Sequence, residues 1–170
     1  EARVARAGLL IDLKQTADAT QDLVALARHS PGEPRAAYLR ALLAERNKDT
    51  PAVRDALKQV TNLIDPVPVE YIRYRPQLLM LNGLSHYGLN ELEKAQQYLE
   101  AFQKVQANSA ASKLLAQIYI GQNNLVRAAD VLETYLRAQP ADSQALTMLA
   151  SVQMSQGRHA KAAALITEAL

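Results

Sequence analysis

Apolar residues along this 170-residue chain follow helical spacing, and toward the C-terminal end the whole pattern repeats after 34 residues. Shifting the sequence by that period places Ala116 over Ala150 and Ala128 over Ala162. No segment sustains the alternation of apolar and polar residues that is typical of a half-buried strand. A period of this size is typical of arrays in which pairs of helices stack on one another. The pattern therefore predicts an all-α protein.

Glycine, proline and asparagine clusters divide the chain into the predicted helices, because these residues end or interrupt helical structure. The predicted ranges are 1–13, 16–29, 34–46, 50–64, 77–88, 91–105, 108–120, 125–137, 144–155 and 159–170. Thr50 and Asn124 are the predicted N-caps of their helices, and Pro51 follows Thr50 as the first helical residue.

Small residues recur at one position in the first helix of each predicted pair. They are Ala7, Ala41, Gly83, Ala116 and Ala150, separated by 34, 42, 33 and 34 residues. A small residue lets two helices approach closely, so we expect each of them at a helix crossing. The longer second gap indicates an insertion near residues 65–76. There the next helix is expected to begin near Val69 and to be bent or interrupted near Pro76.

The repeat is clearest in residues 109–142. The residues that define it are Leu115-Ala116, Tyr119, Ala128, Leu132 and Pro140. In these positions the chain resembles the tetratricopeptide repeat (TPR) family. The resemblance implies a right-handed α-α superhelical solenoid of about five TPR-like helix pairs, with repeats at about 1–33, 34–68, 69–108, 109–142 and 143–170. The chain begins without Met and stops inside a helical pattern, so we interpret residues 1–170 as a single solenoid fragment of a longer protein.

The resemblance also implies where a ligand binds, because the first helices of a TPR stack line a concave groove. Residues at helical spacing on these helices mix apolar, amide, hydroxyl and charged side chains. The predicted groove residues are Arg35, Tyr38, Leu42, Glu45, Met80, Leu84, Tyr87, Lys113, Gln117, Ile120, Thr147, Ser151 and Met154. Such a surface suits an extended peptide or an amphipathic helix. The resemblance therefore implies a non-enzymatic protein–protein interaction scaffold, and the sequence does not identify the partner.

The composition argues against nucleic-acid binding, metal binding and catalysis. The 19 Lys and Arg residues nearly balance the 17 Asp and Glu residues, whereas nucleic-acid modules concentrate cations on one face. No nucleic-acid partner is expected, and a pentatricopeptide RNA-binding array of similar period is disfavoured. There is no cysteine, and His29, His86 and His159 lie in different repeats without a second ligand at metal-binding spacing. We predict no catalytic residue, no metal and no cofactor, with His86 packed between helices and His159 exposed.

The segment at residues 71–75 allows a second hypothesis for the function. Tyr71-Ile72-Arg73-Tyr74-Arg75 interleaves cations and aromatic rings beside the insertion, and such residues can bind polyanions. The alternative hypothesis is thus a polyanion- or polysaccharide-binding module that uses Arg73, Arg75 and the groove tyrosines. Equally, these residues can form an amphipathic helix start whose arginine stems lie along the surface.

The run from residue 99 to residue 162 also resembles bacterial TPR lipoproteins of the PEP-CTERM/exosortase system, in segments such as Gln139–Leu146. That resemblance implies a role in an envelope assembly associated with exopolysaccharide, in the periplasm or anchored at the outer membrane. The cytoplasm is the alternative compartment. The run of large apolar residues at 78–81 is too short for a membrane span, so none is predicted in this chain.

Overall fold

The computed structural model describes residues 1–169, and these residues form eleven helices and no strand. The helices are α1 (Ala2–Asp12), α2 (Thr16–His29), α3 (Pro34–Arg46), α4 (Thr50–Ile64), α5 (Val69–Ile72), α6 (Pro76–Gly88), α7 (Leu92–Val105), α8 (Ala111–Gly121), α9 (Leu125–Leu136), α10 (Ser143–Ser155) and α11 (His159–Ala169). The prediction of an all-α protein is confirmed. The predicted end of the last helix, Leu170, lies outside the described residues.

Each of the five helix pairs is joined by a turn of three residues, and every such turn has the same backbone geometry. One residue of each turn has a positive φ: Lys14, Lys48, Asn90, Asn123 and Gly157, with φ values from 57° to 73°. The next N–H donates to the carbonyl five residues earlier, at 2.8–2.9 Å. This is the Schellman arrangement, which satisfies carbonyl groups at a helix C-terminus. The pairs therefore share one turn geometry.

The predicted crossing residues are buried. Ala7 and Ala116 are 0% exposed, Ala150 is 1% exposed, and Ala41 and Gly83 are buried as well. A larger side chain at these positions would separate the helices that cross there.

The chain divides into two compact units, residues 1–95 and residues 96–170. In the first unit α3 packs against α1, α2, α4 and α6. Its apolar core joins α1, α2 and α3 through residues such as Ile11, Leu23 and Leu43, and a second cluster joins α3 and α4 through Ala41 and Leu57. In the second unit α9 packs against both α8 and α10, and α10 packs against α11.

Two local predictions change. Asp49, not Thr50, caps α4: its Oδ1 accepts a hydrogen bond from Ala52 N–H at 3.1 Å, and Thr50 is the first helical residue. Both residue types cap helices well. Thr50 is already helical, so the side chain of the preceding residue, Asp49, accepts the hydrogen bond at the N-terminus of α4.

The helix predicted over 108–120 is also different, because α8 begins only at Ala111. The preceding residues form a turn in which Ser112 Oγ donates to the Ala107 carbonyl at 3.0 Å. Asn124 caps α9 as predicted, accepting from Arg127 N–H at 3.3 Å.

In the insertion, α5 is a single turn that ends before α6 starts at Pro76, so the predicted interruption is confirmed. Ile72 is the buried residue of α5, and α5 packs against α6.

Candidate functional site

The predicted groove residues lie on α3, α6, α8 and α10, each of which is the first helix of its pair. On each of them three residues follow the spacing i, i+4, i+7, which places them on one side of a helix. The faces are Tyr38, Leu42 and Glu45 on α3, Met80, Leu84 and Tyr87 on α6, Lys113, Gln117 and Ile120 on α8, and Thr147, Ser151 and Met154 on α10. None of these residues, nor Arg35 at the start of α3, is buried. The surface is therefore accessible, while the small residues of the same helices are enclosed.

The faces on α3 and α6 belong to the unit formed by residues 1–95, in which these two helices are in contact. Tyr38 is half-buried and packs against the cluster of Ala41, Ala56 and Leu57. Burial raises the pKa of Tyr38, and the nearby Glu45 carboxylate raises it further. This face is thus apolar at its base and acidic at its exposed end.

Arg35 already has two carboxylate partners within the same unit. Its guanidinium donates to Glu33 Oε2 at 2.7 Å and to Glu1 Oε1 at 2.8 Å. Glu33 Oε1 also accepts from the Arg35 backbone N–H, so Glu33 is the N-cap of α3. An anionic ligand at Arg35 would have to compete with these contacts.

The faces on α8 and α10 belong to residues 96–170. Gln117, Thr147, Ser151 and Met154 are exposed, and Ile120 is half-buried. Within this unit the structure brings polar and apolar groups to the surface of both helices.

Lys113, the charged member of the α8 face, is engaged with Asp142, the N-cap of α10. Lys113 Nζ donates to Asp142 Oδ2 at 2.8 Å, and Tyr135 O–H donates to the same oxygen at 2.7 Å. Asp142 Oδ1 accepts from Ala145 N–H at 2.9 Å. The hydrogen bond from Lys113, followed by those from Ala145 and Tyr135, lowers the pKa of Asp142 to about 2. Lys113 therefore connects α8 to the N-terminus of α10.

A polar cluster surrounds the buried His86 of α6. His86 is 0% exposed, with Nε2 2.9 Å from Asp65 Oδ1 and Nδ1 2.7 Å from Glu91 Oε2. Asn82 and Lys94 also donate to Asp65. Burial raises the pKa of Asp65, but the hydrogen bonds from Asn82, Lys94 and His86 outweigh it and lower the pKa to about 2. His86 is packed between helices as predicted, and the exposed position of His159 is also as predicted.

The insertion presents two aromatic side chains to solvent. Tyr71 is 75% exposed and Tyr74 is 77% exposed. The Arg73 guanidinium lies 4.8 Å from the centre of the Tyr74 ring and donates to its hydroxyl at 2.6 Å. Arg75 is exposed nearby in sequence. The structure thus presents two rings and two cations on one short segment.

A model of the tetratricopeptide repeat matches residues 80–143 and 114–170, which together cover more than half of the chain. The chain belongs to the tetratricopeptide repeat family. The TPR match covers the repeats in which the sequence pattern is clearest, and α1 to α5 lie before it.

Solved TPR structures resemble the whole chain. The MamA protein of Desulfovibrio magneticus RS-1 has a TM-score of 0.73 at 16% identity, covering 99% of this chain and 91% of that one. PilF of Pseudomonas aeruginosa has a TM-score of 0.75 at 13% identity, covering 99% of this chain and 75% of that one. YrrB, described as a TPR protein with an unusual peptide-binding site, has a TM-score of 0.71 at 13% identity, covering 98% and 82%. These similarities confirm the predicted fold class. A comparison with curated proteins finds no match.

Two further properties concern residues 1–169. No helix there has the length and apolar character to cross a bilayer. No group of three or more His, Cys, Asp or Glu side chains in that range is arranged to hold a metal ion.

Sequence reasoning missed a cleft on the other side of α3. It lies in the first unit and is lined by α2, α3 and α4. The signal for it was weak, because its one charged floor residue, Arg40, belongs to no recognisable motif. None of the predicted groove residues lines it.

Proposed function

We propose that this TPR chain is a non-enzymatic scaffold that binds a peptide or an amphipathic helix on the faces of its first helices. The observation that carries the proposal is the accessibility of all four faces, each of which presents three residues at i, i+4, i+7 spacing. TPR proteins bind protein or peptide partners as a family, and the solved YrrB structure has a described peptide-binding site. A ligand helix with apolar residues at the same spacing would match this pattern.

The binding energy would come from apolar contacts, and the polar groups would set the register. Met80, Leu84 and Tyr87 offer an apolar surface in the first unit, while Ile120 and Met154 do so in the second. Methionine adapts to differently shaped partners, which suits a surface of broad specificity. Gln117 and Thr147 supply hydrogen-bonding groups beside the apolar side chains.

The test is selection of peptides from a random phage-displayed library, followed by affinity measurement with variants of each unit. Met80→Ala/Tyr87→Ala alters the first unit, and Gln117→Ala/Met154→Ala alters the second. We expect at least one double variant to weaken binding about tenfold, because truncating a central aromatic or Met contact costs over 1 kcal/mol.

The matched control is Val126→Ala, since Val126 is 65% exposed but lies on α9, a second helix. It should leave the affinity unchanged. If the selected peptides bind both double variants as tightly as the wild type, the first-helix faces are not the binding surface.

We further propose that the scaffold acts in a bacterial envelope assembly associated with exopolysaccharide. The support is the sequence resemblance to PEP-CTERM/exosortase-system TPR lipoproteins. Fractionation of the native cells with an antibody against this chain tests it. Recovery with the periplasm or outer membrane is expected, and recovery with the cytoplasm alone would exclude it.

A second candidate function is binding of an anionic polymer, such as an acidic polysaccharide. The specific support is the pair of exposed rings with the Arg73 guanidinium over Tyr74. In this case Arg73 and Arg75 pair with the anionic groups of the polymer. The tyrosines, including Tyr38 and Tyr87, pack on its sugar rings. Salt-dependent retention on immobilised alginate, lost in Arg73→Ala/Arg75→Ala, would support it. Equal retention of variant and wild type would exclude it.

A further inference from the structure

The cleft lined by α2, α3 and α4 has a volume of about 550 Å³. Because α3 packs against both α2 and α4, it forms the floor, and the other two helices form the walls. Most of the central lining is apolar, and the residues are Leu23, Val24, Leu43, Ala44 and Ala56. Val24 is 45% exposed although it belongs to a wall of this cleft. Val24 and the half-buried Ala44 therefore give a ligand apolar surface to contact, above the buried Leu23, Leu43 and Ala56.

Arg40 gives the cleft a specific chemistry. Its guanidinium is half-buried and donates to Gln59 Oε1 at 2.5 Å. No carboxylate among residues 1–169 forms an ion pair with it, whereas Arg6 is paired with Asp22 and Arg35 with Glu33. Burial lowers the pKa of Arg40, with no carboxylate opposing that effect. A partly desolvated guanidinium without a counter-charge favours a carboxylate ligand.

The cleft is also polar at its far end. Helix α3 runs from Arg40 to Asn47 across the floor, a distance of about 10 Å at the helical rise. Asn47, Thr20 and the capping residue Asp49 lie at the end away from Arg40, and Asp55 lines the α4 wall between them. The cleft thus has a cation at one end, apolar residues together with the Asp55 carboxylate in its middle, and amide, hydroxyl and carboxylate groups at the far end.

We propose that this cleft binds a short peptide segment in which a carboxylate side chain precedes apolar residues, with the carboxylate paired to Arg40. A length of about 10 Å accommodates three extended residues. A fatty acid matches the cation and the apolar middle, but its tail would end beside Asp49 and Asn47. A peptide supplies polar groups at both ends. The site lies between the second helices α2 and α4 on the opposite side of α3 from the proposed groove face, so it is independent of that proposal.

The experiment uses acetyl-Glu-Leu-Leu-Lys-amide as the probe and acetyl-Gln-Leu-Leu-Lys-amide as its uncharged counterpart. Chemical shifts of the backbone amides are followed while each peptide is titrated into the protein. We expect the Glu peptide to perturb amides of α2, α3 and α4 and to bind about tenfold tighter than the Gln peptide, the difference expected for a charge-assisted hydrogen bond.

Arg40→Gln should abolish the preference for the Glu peptide, so that both peptides bind with equal, weak affinity. The matched control is Arg54→Gln, which removes an exposed arginine of α4 that does not line the cleft. It should keep the preference. Val24→Asp adds a negative charge to the wall at an exposed position and should weaken Glu-peptide binding even if Arg40→Gln folds poorly.

Three results would overturn the proposal. Equal affinity of the two peptides for the wild type would show that Arg40 does not read the carboxylate. Perturbations confined to residues outside α2, α3 and α4 would place the binding elsewhere. Saturable binding of octanoate at these helices, with no response to the Glu peptide, would assign the cleft to a fatty acid instead.

Discussion

Lys14 and Lys48 have a backbone conformation that lysine rarely adopts. Their φ values are 60° and 59°, in the left-handed region, where the equivalent turns have Asn90, Asn123 and Gly157. The left-handed conformation costs a residue with a Cβ about 1–2 kcal/mol. The first two turns therefore retain strain that the glycine turn avoids.

Lys48→Gly should stabilise the protein by about 0.5–1 kcal/mol. The relief of strain exceeds the extra entropy that glycine loses on folding. Lys48 is exposed, so the change removes no core contact. Urea unfolding gives the free energy that checks this.

The control is the same substitution at Lys58, an exposed position inside α4. Lys58→Gly should destabilise by about 1 kcal/mol, because glycine is unfavourable in a helix interior. A loss of stability in both variants would show that the turn at Lys48 is not strained.

At the scale of the element, α10 depends on one carboxylate for both its cap and its link to α8. Asp142 accepts from the backbone of Ala145, from Lys113 and from Tyr135. The cap hydrogen bond needs only an oxygen acceptor, whereas the ion pair needs the charge. The two contributions can therefore be separated by an isosteric change.

Asp142→Asn should lower the free energy of unfolding by about 1 kcal/mol at neutral pH, because asparagine still caps a helix but cannot pair with Lys113. The pKa of Asp142 is lowered to about 2 in the folded state, below its ordinary value of about 3.9. Its contribution is thus complete above about pH 4 and is lost as the pH falls toward 2. Urea unfolding at a series of pH values should show the wild-type and variant stabilities converging under acid conditions.

Asp130→Asn is the control, since Asp130 is exposed on α9. Its effect should be small at every pH. A constant difference between wild type and Asp142→Asn down to pH 3 and below would contradict the ion-pair argument.

Most helix boundaries could be predicted because proline, glycine and asparagine mark them. Pro34 and Pro76 lie in the first turns of α3 and α6, and Gly157 occupies a left-handed turn position. The lysine turns could not be recognised in this way, since Lys14 and Lys48 have no preference for that conformation. The cap of α4 was misassigned because Asp49 and Thr50 are both good capping residues.

At the scale of the whole molecule, the buried small residues keep each helix pair closely packed, and the chain forms two compact units. In repeat proteins each pair interacts mainly with its neighbours, so a local defect has a local effect. Ala116 is 0% exposed in the second unit and is a direct probe of this behaviour.

Ala116→Leu should destabilise the protein by about 1–3 kcal/mol through overpacking. Hydrogen exchange should show the loss of protection mainly in α8 to α11, with much smaller changes in α1 to α4. Ala160→Leu, at an exposed position of α11, is the matched control and should be nearly neutral. An equal loss of protection in every helix would mean that the chain unfolds as one cooperative unit.

The site could be predicted only in part, because ion pairs depend on the register between distant helices. The i, i+4, i+7 spacing is sufficient to place Gln117 and Met154 on accessible faces. It could not reveal that Lys113 is paired with Asp142, 29 residues away, or Arg35 with Glu1, 34 residues away. That no carboxylate among residues 1–169 forms an ion pair with Arg40 is likewise a property of the packed structure. Whether the exposed faces bind a partner stays a prediction.

The uniform three-residue turns have a further implication for how such a chain can change its length. Any added residue inside a pair would disturb the Schellman hydrogen bonds and the crossing at the small residue. The connections between pairs have no common length: α2 and α3 are joined by four residues, and α4 and α6 by a segment containing α5. New loops, and new surfaces such as that of Tyr71 and Tyr74, are thus admitted at the junctions between repeats, which makes those junctions the natural positions for grafting foreign sequence into this protein.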